Sequence, residues 1–253
     1  MADGASLYLL VALGAGVAGF VQGLSGFAFG LVAMSFWAWG LEPQLAAVLS
    51  TFGALTGQVI AAATVRRGFD WRVLRPFVAG GLLGVPLGVW LLPRLDIVIF
   101  KACLGGLLVP WCLAMLFARN LPQVRWGGRL ADAVSGLLGG ICGGVGGFTG
   151  PIPTLWCTLR GMARDAQRSV IQNFNLAMLA VAFTLQVGAG NVTVRMLPLL
   201  AVVAVCVLVP VLLGARLYIG LSELAFRRIV LGLLTVSGLA LLVSSVPVLL
   251  HRG

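Results

Sequence analysis

Between Asp3 and Glu42 the chain carries no charged residue, and between Asp132 and Arg160 it again carries none. In water such stretches would be flexible loops; in a bilayer, about 20 apolar residues make one helical crossing. Both are dense in glycine. In the second, seven of the twelve residues from Gly139 to Gly150 are glycine, and Pro151 and Pro153 follow. Glycine costs a helix about 1 kcal/mol per position and proline about 3, so neither stretch is expected to form one straight span. Each should instead start, break and restart. The first divides into arms at roughly 7–22 and 26–39 that meet at Gly23-Leu24-Ser25-Gly26. Irregular backbone at membrane depth survives only where it is buried in protein or lines a wet cavity. Its freed N–H groups and the restarted helix N-termini then favour an anion.

The rest of the chain supports a membrane setting. Sixty per cent of residues are hydrophobic, 9% are charged and the mean hydropathy is +1.08, which excludes an ordinary soluble domain. The net charge of +10 lies in short arginine clusters between apolar runs, the pattern of a positive-inside bias rather than of a nucleic-acid partner. The opening Met1–Ser6 has no basic stretch, so no cleaved signal peptide is expected. Cys103, Cys112, Cys142, Cys157 and Cys206 lie in apolar runs without a CxxC spacing and read as buried packing thiols. Neither a metal nor a cofactor is expected.

The order of elements repeats. Apolar segments at 44–64, 76–92 and 97–117 follow the first glycine-rich stretch, and segments at 169–188, 196–213 and 228–247 follow the second. At an offset of 121, Gly23-Leu-Ser-Gly26-Phe27 falls on Gly144-Val-Gly-Gly147-Phe148; at 126, Phe100-Lys101 falls on Phe226-Arg227. Residues 1–120 and 121–253 thus read as two repeats of one membrane domain. Charge selects between topologies. Four full crossings per half would put Arg160, Arg164, Arg168 and Arg216 on the face opposite Arg66–Arg75. If each half opens with a hairpin that enters and leaves on one side, every large arginine cluster becomes cytoplasmic. Three further crossings per half then make the repeats inverted, an all-α arrangement with its site at the repeat interface.

Gly19-Phe-Val-Gln-Gly-Leu-Ser-Gly-Phe-Ala-Phe-Gly-Leu-Val-Ala33 resembles the first-half motif of the sulfite exporter TauE/SafE family. Gly140–Pro153, followed by Arg160-Gly-Met-Ala-Arg-Asp-Ala-Gln-Arg168, resembles its second-half motif. The proline often found after the first motif is missing around Val32–Phe36, so the first hairpin is expected to break less sharply than the second. The resemblance implies transport of small anions such as sulfite, thiosulfate or organosulfonates, usually outward, across the bacterial inner membrane. The expected partners are that anion and the lipid bilayer, with homo-oligomerisation left open. A non-transporting membrane subunit or channel-like protein of the same fold is the alternative.

Polar side chains inside apolar spans either tie helices together or face substrate. The candidates for an anion site are Gln22, Ser25 and Gly26 at the first hairpin, Gly147, Thr149 and Gly150 at the second, and Arg168, Gln172, Asn173 and Asn175 on the segment after it. Arg168 stands one turn before Gln172, and the resemblance, in which an arginine recurs there, adds weight to a role at the cavity mouth. Thr51 aligns with Gln172, while Gln58 and Gln186, near segment ends, read as structural. Gly80, Gly84 and Gly88 make a small-residue stripe suited to close helix packing. Enzymatic readings fail. Gly14-Ala-Gly-Val-Ala-Gly19 follows no strand, and Ser25 in a GxSG setting has only His251 or Lys101 as a base. All seven carboxylates fall in loops or at segment ends, which leaves no interior proton relay. Export of an anion down the membrane potential, worth about 2.3 kcal/mol per charge per 100 mV, needs none.

Overall fold

The computed structural model describes residues 4–64, 68–117, 123–124, 126–217 and 223–250. Arg66, Arg67 and His251, used above, lie outside the described residues. Among the described residues there are ten α-helices and no strand: α1 Gly4–Ser25, α2 Phe29–Trp37, α3 Pro43–Thr64, α4 Trp71–Leu91, α5 Ile97–Leu116, α6 Gly128–Gly146, α7 Pro151–Leu159, α8 Arg164–Gly188, α9 Leu197–Leu217 and α10 Glu223–Leu250. Among the described residues six stretches are long and apolar enough to cross a bilayer, including Trp71–Arg94 and Val194–Arg216. The chain is an all-α polytopic membrane protein. Aspartates set two of the starts: Asp70 accepts from the Arg72 N–H at 2.9 Å, and Asp96 from the Ile99 N–H at 2.7 Å.

Each half comprises one long helix, one nine-residue helix and three further long helices. Packing recurs in the same order. Helix α4 lies along α6 as α9 lies along α1, α8 meets α4 as α3 meets α9, and α5 runs beside α10. Glycine makes the first two contacts close. A Cβ at Gly80, Gly84 or Gly88 would come within 1.9, 2.1 and 2.1 Å of the Ala133, Leu137 and Ile141 carbonyl oxygens. In return, one at Gly136, Gly140 or Gly144 would strike the Phe77, Gly81 and Val85 carbonyls at 2.1, 2.5 and 2.4 Å. The glycine stripe of α4 is therefore a packing surface, interlocked with a second stripe on α6. Between α1 and α9, Gly23 meets the Val211 carbonyl and Gly214 the Phe20 carbonyl at 2.2 Å by the same measure.

The glycine-rich stretch starts, breaks and restarts as expected, but the break is confined to residues 147–150. Helix α6 continues through Gly139, Gly140, Gly143 and Gly144 and stops only at Gly146, leaving four residues before α7. Close backbone approach offsets the propensity cost of each glycine, because any larger residue would hold the helices apart. The first stretch behaves alike: α1 runs for 22 residues, past the expected end at 22, and α2 is short. Nor does the first hairpin break less sharply. Gly26 and Gly147, matched by the 121-residue offset, both adopt left-handed backbone, with φ of 85° and 77°. A reversal built on an αL glycine requires no following proline. One smaller expectation also changes: Cys103 is exposed on the outer surface of α5 rather than buried. Asp132, at a segment end as expected, is buried there, 3% exposed.

Hydrogen bonds group the links by face. Ser169 Oγ and Asn173 Nδ2 donate to the Gly68 carbonyl, the latter at 3.0 Å, which places the α3–α4 link beside the start of α8. The Val124 N–H donates to the Leu159 carbonyl at 2.8 Å, so the chain before α6 lies beside the end of α7. The second hairpin thus enters and leaves on one side. At the other face, Trp37 Nε1 donates to the Leu10 carbonyl at 3.2 Å, bringing the end of α2 back to the first half of α1. There Gln44 Nε2 donates to the Asn191 carbonyl at 3.3 Å, and Lys101 stands 5.0 Å from the Trp39 ring centre.

Candidate functional site: two helix breaks at the centre

The reversals at 26–28 and 147–150 pack on one another. A Cβ on Gly150 would touch the Phe27 ring at 2.7 Å, and one on Gly30 would meet the Phe148 ring at 3.0 Å and the Gly147 carbonyl at 3.1 Å. Phe27 also sits edge-on to Trp111, ring centres 5.7 Å apart, while Trp111 Nε1 donates to the Pro151 carbonyl at 2.7 Å. Helices α2 and α7 therefore begin beside each other and run to opposite faces. Their positive dipole ends converge on the centre of the bundle. The two starts differ in donors, since Pro151 and Pro153 supply no N–H in the first turn of α7. On that side Ile152 keeps the one N–H between the two prolines, so side chains carry more of the hydrogen-bond donation.

Polar side chains of α1, α3 and α8 hold this centre. Gln22 Nε2 donates to the Ala54 carbonyl at 2.9 Å, tying α1 to α3, and Gln58 Nε2 donates to the Gly26 carbonyl at the first reversal. Gln186 Nε2 reaches Thr51 Oγ1 at 3.3 Å and the Gly144 carbonyl at 3.2 Å, and Ser50 Oγ donates to the Gly146 carbonyl at 2.8 Å. Gln58 and Gln186 thus have the structural role expected of them. Ser25 Oγ accepts from the Phe27 and Ala28 N–H groups at 3.4 and 3.1 Å, which fixes the first turn. The halves correspond again: a Cβ on Gly26 would lie 3.2 Å from Gln172 Nε2, and one on Gly147 would lie 3.0 Å from Thr51 Cα.

At the second reversal Thr149 Oγ1 donates to Asn175 Oδ1 at 2.8 Å. Asn175 is 1% exposed, and its Nδ2 has no hydrogen-bond partner among the described residues. A buried amide N–H left in that state costs about 1–3 kcal/mol unless a ligand takes it up. Gln22, Ser50, Thr51, Gln58, Thr149, Gln172, Asn175 and Gln186 are each 4% exposed or less, and all are neutral. Donors of this kind can hold an oxyanion without a fixed counter-charge that would trap it.

Of the ten candidates, the structure brings together Gln22, Ser25, Gly26, Gly147, Thr149, Gly150, Gln172 and Asn175. Asn173 faces elsewhere, its amide on the Gly68 and Ser169 carbonyls. Arg168 is half-buried one turn before Gln172, on the stripe of α8 that leads to Asn175. Sequence reasoning missed Ser50 and Trp111, whose only signal was a polar atom inside an apolar span. It also missed the polar clamp at the ends of the second hairpin. There Asp132 accepts from Arg160 Nη1 at 2.7 and 2.8 Å and from Trp156 Nε1 at 2.7 Å. Gln167 Nε2 adds bonds to the Thr154 carbonyl at 3.2 Å and to Thr158 Oγ1 at 3.0 Å, locking α8 to α7.

The family model described as sulfite exporter TauE/SafE matches residues 11–241 of the chain. No curated protein and no solved structure matches it.

Proposed function

The chain belongs to the sulfite exporter TauE/SafE family of membrane transporters, and from that premise we propose that it exports small sulfur-containing anions through the centre formed by its two helix breaks. Sulfite, thiosulfate and organosulfonates are the substrate class, and a bacterial inner membrane is the setting. The two halves act as inverted repeats, 1–120 and 121–253. Each contributes one reversal to the site, as alternation of access between the two faces requires. The observation that carries the reading is Asn175 Nδ2, a buried donor with no partner among the described residues, beside Thr149 and close to two helix N-termini.

In this reading the anion accepts from Asn175 Nδ2 and from the first-turn N–H groups of α2, with Gln172 beside Gly26 and the Gln22 amide completing a neutral shell. Arg168 concentrates anions at the cytoplasmic mouth, and Asn173 positions the α3–α4 link next to it. An interior-negative potential drives the anion outward. The test is flux of labelled sulfite, thiosulfate and taurine in proteoliposomes containing only this chain, under an imposed potential. We expect potential-dependent efflux of at least one of them. Asn175→Leu should lower it about tenfold or more through loss of one charge-assisted hydrogen bond, with thermal stability kept. Absence of flux for every anion would instead favour a non-transporting subunit of the same fold.

A further inference from the structure

On the face that carries Trp39 and Lys101, α4 and α8 diverge and leave an open groove of about 600 Å³. Its inner wall is apolar, formed by Pro86 and Val89 from α4 and Leu185 from α8. Its rim is different. Arg94, an exposed residue, stands over the Trp90 ring, 3.8 Å from the ring centre, with Nη1 bonded to the Trp90 carbonyl. Opposite is Asn191, 4% exposed, whose oxygens accept from Gln44 while its Nδ2 has no partner among the described residues. Asp96, the nearest acidic residue in sequence, spends its carboxylate on the N-terminus of α5.

We propose that this groove binds an anionic membrane phospholipid, with the phosphodiester on Arg94 and Asn191 and an acyl chain along Pro86, Val89 and Leu185. The choice follows from the order of the lining. Pro86 and Arg94 are eight residues apart, so apolar and polar zones are separated by about 12 Å along the membrane normal. That separation suits an amphiphile and is wasted on a small free anion. Trp90 is 60% exposed and faces outward at the end of the Trp71–Arg94 span, where an aromatic ring lies at headgroup level. The site also touches the transport centre through one short route: the Asn191 N–H donates to the Gln186 carbonyl at 2.9 Å, and the Gln186 side chain holds Gly144 and Thr51. This inference needs only the membrane setting and is independent of which anion is carried.

The experiment is native mass spectrometry of the full chain in detergent, with phosphatidylglycerol and phosphatidylcholine of identical acyl chains added in equal amounts. Wild-type protein should retain phosphatidylglycerol over phosphatidylcholine by roughly fivefold, as expected for one arginine at the surface. Arg94→Gln should remove that preference. Asn191→Asp, which keeps the shape and the acceptor for Gln44 but replaces the donor with a carboxylate, should reduce it too. Equal retention of the two lipids, or a preference unchanged in both variants, overturns the proposal. Displacement of the lipid by millimolar inorganic phosphate or sulfate also overturns it, because the rim would then be a site for free anions.

Discussion

Arg168 is the residue whose role is most open to a decisive measurement. It lies four positions before Gln172, about one helical turn, and shares that stripe of α8 with Asn175. A guanidinium there can hold a sulfonate through two parallel hydrogen bonds, which an ammonium cannot reproduce. Arg168→Gln is expected to cut flux at least about tenfold, and Arg168→Lys to leave an intermediate rate, with both variants reaching the membrane in normal amounts. Near wild-type flux in Arg168→Gln would make this arginine a marker of the helix end and leave the site to Asn175, Thr149 and the α2 backbone. At this scale the sequence was readable where polarity stood out against an apolar run, as at Gln22, Gln172 and Asn175. It was opaque for Asp132. Nothing local marks that carboxylate as buried, because its partners Trp156 and Arg160 lie 24 and 28 residues on and meet it only when the hairpin closes.

Among the elements, the glycine-rich helices show both what composition tells and where it misleads. It tells that the segment is exceptional. It does not tell whether a glycine serves a break or a contact, since that depends on the partner helix. In α6 the answer is contact for Gly136, Gly140 and Gly144, and just past its end it is reversal for Gly147. The difference can be measured with methyl groups. Gly84→Ala would set a Cβ 2.1 Å from the Leu137 carbonyl oxygen, and only a shift of two backbones relieves it. The expected cost is about 3 kcal/mol, at the upper end for overpacking, and reads out as a lowered thermal midpoint in detergent. Gly106→Ala, with no heavy atom within 4 Å of the new methyl, should be neutral or gain up to about 1 kcal/mol from helix propensity. Similar midpoints for the two variants would mean that α4 and α6 are not held at backbone contact.

For the molecule as a whole, the question is which face each link occupies. Sequence reasoning reached the hairpin arrangement from arginine placement alone, and the hydrogen bonds reach it independently: Gly68 lies with Ser169 and Val124 with Leu159, while Gln44 lies with Asn191. Geometry sorts the links into two faces, and charge says which one is cytoplasmic. Arg72, Arg75, Arg129, Arg160, Arg164 and Arg168 mark one face; Arg94, Lys101 and Arg195 mark the other. The positive-inside bias assigns the first face to the cytoplasm, the orientation that the proposed export requires of a mouth near Arg168. Single cysteines in a cysteine-free background test this directly. Gly127 and Gly161 are poor positions because their φ values of +92° and +65° disfavour any side chain. Trp126 and Phe69, 76% and 68% exposed, serve the first face, and Val194, 81% exposed, serves the second. In intact cells a membrane-impermeant maleimide should label Val194→Cys alone, and after permeabilisation all three. Reaction of Val194→Cys from the same face as Phe69→Cys and Trp126→Cys would restore four crossings per half, whereas labelling of Phe69→Cys and Trp126→Cys alone from outside would invert the whole molecule and with it the direction of transport.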